Sequence, residues 1–324
     1  MSGASARQPE ENTAMQPVVV VGGMNMDVLG TPHAPLTLRD SNPGKVALRP
    51  GGVGHNIAWG IARLSLPVEL ITAVGNDTFG SALLKSCRED GIGTLHTLVA
   101  PRGSGIYLCL HDADGDMLYA INQMEAVETL SPKALALLVP ICNTAPLVVL
   151  DANLPAATLS YLAESVTAPL FADPVSAHKA TRIIPILHRL YAVKPNRLEA
   201  EVMSGIDCSS EDGVRRAGDF FLERGVKRVY ISLGREGVYY TDGRDRGMLP
   251  SEVGSGAPVR DFTGAGDAMT AGLIWAELQG YSVMRCALAG QLAAGSRILS
   301  GTLSPTLFHT FEHPHEQPHK ENKP

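Results

Sequence analysis

The chain has 324 residues, of which 44% are hydrophobic and 19% charged, with a formal charge of −6 at pH 7. This balance excludes a chain without a core, and the length favours one large α/β domain with an appendage. No global basic field exists to draw nucleic acid or an anionic membrane, so an anionic ligand must be held locally.

Residues 1–16 are polar, lack the apolar segment of a secretion signal, and read as a tail. Five cysteines are widely scattered and form no CxxC pair, so neither a disulfide framework nor a zinc site is indicated. No apolar run approaches the ~20 residues that span a bilayer. Together these features predict a cytoplasmic protein.

From 17 to about 305, short β-type runs alternate with helical periodicity: VVVVGG (18–23), VELITAVG (68–75), LVVLD (147–151), LFADP (170–174), YAVKP (191–195) and RVYISLG (228–234). That rhythm predicts an α/β domain with a central, mainly parallel sheet flanked by helices. The strand ends are polar or small: Asn25 and Asp27 after the first, then Asp151, Asn153, Asp173, Lys194, Asn196, Ser232 and Gly234. Carboxyl ends of parallel strands line the ligand crevice of open α/β sheets, so these residues outline a site. One stretch breaks the rhythm. GIYLCLHDADGDMLYAIN (105–122) reads as an antiparallel hairpin, and with segments of about 31–50 it predicts a small β-sheet lid. Residues 306–324 are a His- and Pro-rich polar tail, whose histidines read as solvated rather than metal-binding. No internal repeat is visible.

The stretch TGAGDAMTAGL (263–273) places glycines and one acid where a helix begins. A helix N-terminus offers bare NH groups and partial positive charge, a natural hold for a phosphoryl group. Asp267 in its first turn is either a partner of the helix dipole or the base that takes a hydroxyl proton during phosphoryl transfer. Those residues alone leave both readings open.

The series GGMNMDVLG, RPGGVGHNIA, VGNDTFG, ADPV, VKPNRLEAE, SLGREGVYYTD and DFTGAGDAM, in this order from about residue 18 to 300, resembles the ribokinase-like carbohydrate kinases, the PfkB family. The resemblance implies an ATP- and Mg²⁺-dependent kinase. It implies Asp267 as general base and the NH groups of Gly264, Ala265 and Gly266 as the anion hole. Asn25, Asp27, Gly51, Gly52 and Asn56 match the sugar-binding positions, with Asn122 on the lid expected near a base. Lys194, Asn196, Ser232, Gly234 and Gly237 match the ATP side, and Glu199 the residue that positions Mg²⁺ through water. Asp261 and Thr263 match the region where relatives hold K⁺, and the lid strands are expected to pair two subunits in a homodimer. DSNPGKVALRPGGVGHNIA, MLYAIN, DANL, DPVSAHK and KPNRLEAEVMSGI are similar to those of pseudouridine kinases, which implies the 5′-hydroxyl of pseudouridine as acceptor. Ribokinases generally carry Lys where this chain has Val53, which counts against free ribose.

Two other functions remain in view. A relative kinase would act on another nucleoside or sugar, whereas a silent nucleoside sensor would have lost Asp267, the glycines, or Asn196 and Glu199, and all are present. A dinucleotide-binding dehydrogenase would need GxGxxG after the first strand, and VVGGMNMD lacks it.

Overall fold

Val18–Val21 are four consecutive valines, each essentially buried, because the strand they form is covered on both faces. Val18 and Val20 pack with Leu70, Val149 and Phe171, whereas Val19 and Val21 pack with Ile71, Leu150 and Ala172. A strand in such a position needs no polar face, and each buried valine contributes roughly 1.5 kcal/mol or more of hydrophobic stabilisation. The computed structural model of the chain describes residues 15–113, 116–251, 253 and 264–308.

In chain order the described strands are β1 (Val18–Val21), β2 (Asn25–Pro32), β3 (Gly44–Gly51), β4 (Val68–Ile71), β5 (Ala73–Gly75), β6 (Leu98–Ala100) and β7 (Gly105–His111). They continue as β8 (Met117–Gln123), β9 (Val148–Asp151), β10 (Leu170–Asp173), β11 (Leu190–Val193), β12 (Arg228–Ser232), β13 (Val238–Thr241) and β14 (Arg246–Leu249). An eight-stranded sheet runs β14-β13-β12-β11-β10-β9-β1-β4 and is parallel except where β13 and β14 return antiparallel at one edge. Helices Val53–Arg63, Ala265–Leu278 and Val283–Ser300 cover one face. Ala156–Ser165, Arg197–Ser204 and Glu211–Glu223 cover the other. Two glycines set the spacing on the first face. A Cβ at Gly272 would lie 2.6 Å from the Ala289 carbonyl oxygen, and one at Gly60 would lie 2.6 Å from the Ala271 Cβ, so the last two helices and Val53–Arg63 meet almost backbone to backbone.

The separate sheet has the order β3-β2-β7-β8. Its second strand begins at Asn25, directly off β1, and residues 33–43 form turns and irregular chain, so the sheet starts at Asn25 rather than at about 31. Sequence periodicity misses this because the alternation of Asn25, Met26, Asp27 and Val28 is too short and breaks at Leu29, Gly30 and Thr31, while β3 and β7 on either side supply the pairing. The run 68–75 is likewise two strands: β4 joins the large sheet and β5 pairs with β6.

Candidate active site

The crevice lies at the carboxyl ends of β1, β9, β10, β11 and β12, and β9 organises its floor. Asp151, wholly buried, accepts hydrogen bonds from Gly23 N at 2.8 Å, Asn153 N at 2.9 Å and Asn153 Nδ2 at 3.1 Å. Its neighbour Asp173, ending β10, accepts from Val175 N and from Thr270 Oγ1, and pairs with Lys194 Nζ at 3.0 Å. Val175 holds a φ of 68°, costly for a β-branched residue, at the wall of this crevice.

Asp267 stands in the first turn of helix Ala265–Leu278, which starts after Gly264 in a left-handed conformation with φ 77°. The first intrahelical bond runs from Ala268 N to the Gly264 carbonyl, so the NH groups of Ala265, Gly266 and Asp267 have no helical acceptor. Withdrawal from water, and next the Asp173 carboxylate, push the Asp267 carboxyl up to about 7, against the pull of a hydrogen bond from Asn56 and the charge of Lys194. A carboxyl poised near neutrality is suited to proton transfer.

Lys194 is nearly fully buried. Burial alone would lower its pKa, but the carboxylates of Asp173, Glu199 and Asp267 outweigh burial and hold it above the ordinary lysine range, so it stays cationic. Its ammonium also donates to the Gly266 carbonyl at 3.3 Å, tying the glycine turn at the helix start to the end of β11. Asn196 and Glu199 form a reciprocal cap on helix Arg197–Ser204: Glu199 N donates to Asn196 Oδ1 at 2.9 Å and Asn196 N to Glu199 Oε2 at 2.8 Å. Glu199 is not on a solvated face. It is 3% exposed, and burial together with Asp173 raises it to about 6. Ser232 ends β12 and bridges to Asn196, and the crevice of ≈ 460 Å³ brings together Lys194, Asn196, Glu199, Ser232, Gly234, Gly266 and Asp267. Gly237, with φ 111°, closes the turn between β12 and β13, exchanging backbone bonds with Leu233 and Gly234, and a Cβ there would strike the Leu249 carbonyl.

On the lid side, Asn25 and Asp27 belong to β2 rather than to the end of β1, and Asn25 Nδ2 donates to Asp27 Oδ1 at 2.5 Å. Burial raises the Asp27 carboxyl, opposed by Asn25 and Arg49. Gly51 and Gly52 are dictated by proximity. A Cβ at Gly51 would strike the Asp27 carboxylate; one at Gly52 would sit 2.6 Å from the Gly23 carbonyl oxygen, and Gly52 has φ 94°. Asn56, one turn into helix Val53–Arg63, donates from Nδ2 to Asp267 Oδ2 at 2.8 Å, so it links two helices and does not cap either. Cross-strand register puts Arg49, Asp27, Tyr107 and Asn122 in one row on one face of the lid. Asn122 is exposed, two strands or about 10 Å from Asp27. In the preceding loop the Asn42 side chain is spent on Thr37 and Asp40 backbone groups. Asp261 and Thr263 lie outside the described residues.

One group was given no role by the sequence, and another was noted only as a strand end. Asp173 holds Lys194 and Thr270 in place, and its signal was its position at a strand end. Lys179 donates to Asn153 Oδ1 at 2.7 Å, beside Asp151; it closes the segment DPVSAHK, and its contact with Asn153 could not be read from that stretch.

The sequence profile described as pfkB family carbohydrate kinase matches residues 15–306. The chain belongs to that family. It is therefore a kinase of the ribokinase-like α/β fold, a phosphotransferase. A pseudouridine kinase of Escherichia coli strain K12 is 38% identical over 262 residues, covering 79% of this chain and 82% of that protein. A pseudouridine kinase of Arabidopsis thaliana is 28% identical over 246 residues, 69% of this chain and 64% of that one. A solved carbohydrate kinase from Agrobacterium tumefaciens superposes with a TM-score of 0.79 at 25% identity, covering 91% of this chain and 96% of its own.

Proposed function

We propose that this kinase transfers the γ-phosphoryl group of ATP to the 5′-hydroxyl of pseudouridine. The observation that carries the phosphoryl-transfer chemistry is Asp267, a carboxyl pushed up to about 7 in the first turn of a helix whose NH groups are bare. The choice of nucleoside is supported by the 38% identity with the Escherichia coli pseudouridine kinase and by Val53 at the position where ribokinases carry lysine.

In this reading Asp267 takes the proton of the 5′-hydroxyl as that oxygen bonds to the γ-phosphorus and the bond to the bridging oxygen of ADP breaks. The products are pseudouridine 5′-phosphate and ADP. The NH groups of Gly264, Ala265 and Gly266 hold the transferring group, and Lys194 keeps the turn that carries them in place. The crevice containing Lys194, Ser232 and Gly234 receives the ATP phosphates. Asn196 and Glu199 offer hard oxygen donors that fit Mg²⁺ through its retained waters; bound there, the ion neutralises phosphate charge. K⁺ activation through Asp261 and Thr263 rests on the family resemblance alone.

Asp27 and Asn25 suit paired ribose hydroxyls, since a carboxylate accepts while an amide both donates and accepts. Asn122 lies on the same lid face as Asp27, within reach of a base held above the sugar. The opposite lid face carries Val46, Leu48, Leu110, Tyr119 and Ile121, all exposed. Such a face supports pairing of two lids in a homodimer. No helix among the described residues is long and apolar enough to cross a membrane. Five free, buried cysteines support a reducing compartment, the cytoplasm.

The test is ADP release with Mg²⁺-ATP and K⁺ against pseudouridine, uridine, cytidine, adenosine and ribose in parallel. Preference for pseudouridine is expected. Preference for another acceptor would retain Asp267 and the anion hole but replace the nucleoside assignment; silence on all, with ATP bound, would favour a nucleoside sensor.

A further inference from the structure

Asn56 stands between Asp267 and a second polar side chain. Its Nδ2 donates to Asp267 Oδ2 at 2.8 Å, and its Oδ1 lies 3.2 Å from His55 Nδ1. In its ionised form, the one that acts as base, the Asp267 carboxylate only accepts, so the Asn56 amide must present its NH₂ to Asp267 and its oxygen to His55. An amide oxygen likewise only accepts. His55 Nδ1 must therefore carry the proton, and in the neutral ring Nε2 is bare. His55 is 4% exposed, its backbone NH is fixed to the Gly23 carbonyl at 3.2 Å, and Nε2 is buried with no hydrogen-bond partner among the described residues. An apolar side chain would fill this space without leaving a buried acceptor unpaired, which is costly. The one ring atom that is paired is the one that orients Asn56.

We infer that His55 is a positioning residue for phosphoryl transfer, whose Nδ1–H fixes the Asn56 amide so that it donates to one oxygen of Asp267 and leaves the other for the substrate hydroxyl. This inference rests on the function proposed above. Burial holds the His55 ring below the ordinary histidine range, against the opposing effects of Asn56 and Asp90, which favours the neutral ring that the geometry requires. Without His55 the amide can rotate, the donation weakens, and the Asp267 carboxyl rises further. The charged groups around Asp267 are Asp173, Lys194 and Asp151; Asp90, Arg49 and Arg297 lie with His55 around a neighbouring cleft.

The experiment is a double-mutant cycle read as kcat against pH, using the acceptor on which the wild-type chain is most active. His55→Leu should lower kcat by ~5-fold, the equivalent of one hydrogen bond, and move its acidic limb to higher pH, with KM for ATP unchanged. His55→Asn, whose amide nitrogen stands near the position of Nδ1, should recover most of both effects. In an Asn56→Ala background His55→Leu should change neither. Equal losses with and without Asn56, or Leu and Asn variants that behave alike, would overturn the inference. Should His55→Leu fail to fold, ¹⁵N spectra of the wild-type imidazole decide the matter: a proton on Nδ1 is expected, and one on Nε2 overturns it. A wild-type chain inert on every acceptor removes the proposed function and this inference together, whereas an active wild type with no coupling removes this inference alone.

Discussion

Asp267 binds a proton up to about pH 7 in the folded chain, whereas an ordinary aspartate ionises near 4. Between these values the fold holds more protons than the unfolded chain, so this group's contribution to stability falls as pH rises from about 4 to 7. Glu199, raised to about 6, acts with the same sign. Catalysis needs the carboxylate, so kcat should rise with pH on an acidic limb centred near 7; a flat profile from pH 5.5 to 8 would remove Asp267 as the base. Asp267→Asn should lower turnover by at least about 100-fold with ATP binding retained in calorimetry. The same substitution removes a buried charge at pH 8, and should raise Tm there by about 2 °C or more. Asp27→Ala is expected to raise KM for the nucleoside with little change in KM for ATP, because Asp27 sits on the lid and away from the crevice that holds Lys194.

Helix Ala265–Leu278 carries the site at its first turn, and its burial on nearly every side explains why its apolar residues show little amphipathic pattern. The helix Arg197–Ser204 is set by Asn196 and Glu199, whose spacing of three is readable as a cap without any tertiary knowledge. The lid strands are different. Leu48, Val28, Leu108 and Ile121 share one face, as do Val46, Leu110 and Tyr119, and the outer members are left exposed. Ile121→Lys combined with Tyr119→Glu should convert a dimer to a monomer in sedimentation velocity, since either charge would be buried in the pairing of two lids. A variant that stays dimeric would move the interface elsewhere, and a wild type that sediments as a monomer would remove the pairing.

Across the molecule, Asn56, Asp151, Asp173, Lys194 and Asp267 come from five separate segments and meet at the carboxyl ends of the large sheet, while Asp27 stands on the small sheet. A nucleoside and a nonhydrolysable ATP analogue bind groups that the unfolded chain cannot assemble. At ~100-fold over its Kd each ligand should add ~2.7 kcal/mol to stability, raising Tm by roughly 5 °C or more, and the pair together should exceed either alone. A Tm indifferent to both would mean that the crevice does not receive them.

Strand-and-helix rhythm, polar strand ends and the glycine-bounded helix start are local properties, so the α/β sheet, the glycine turn that opens helix Ala265–Leu278 and the carboxylate in its first turn were legible in the residues themselves. Backbone sterics decide such features over a few residues, whatever the rest of the chain does. The start of the lid at Asn25 and the split of 68–75 between two sheets depended on which strands pair, and pairing is set by partners tens of residues away. The same holds for charge. That Asp267 titrates near 7, that Glu199 is buried, and that His55 meets Asn56 on the way to Asp267 follow from desolvation and from neighbours brought close only when the chain is folded.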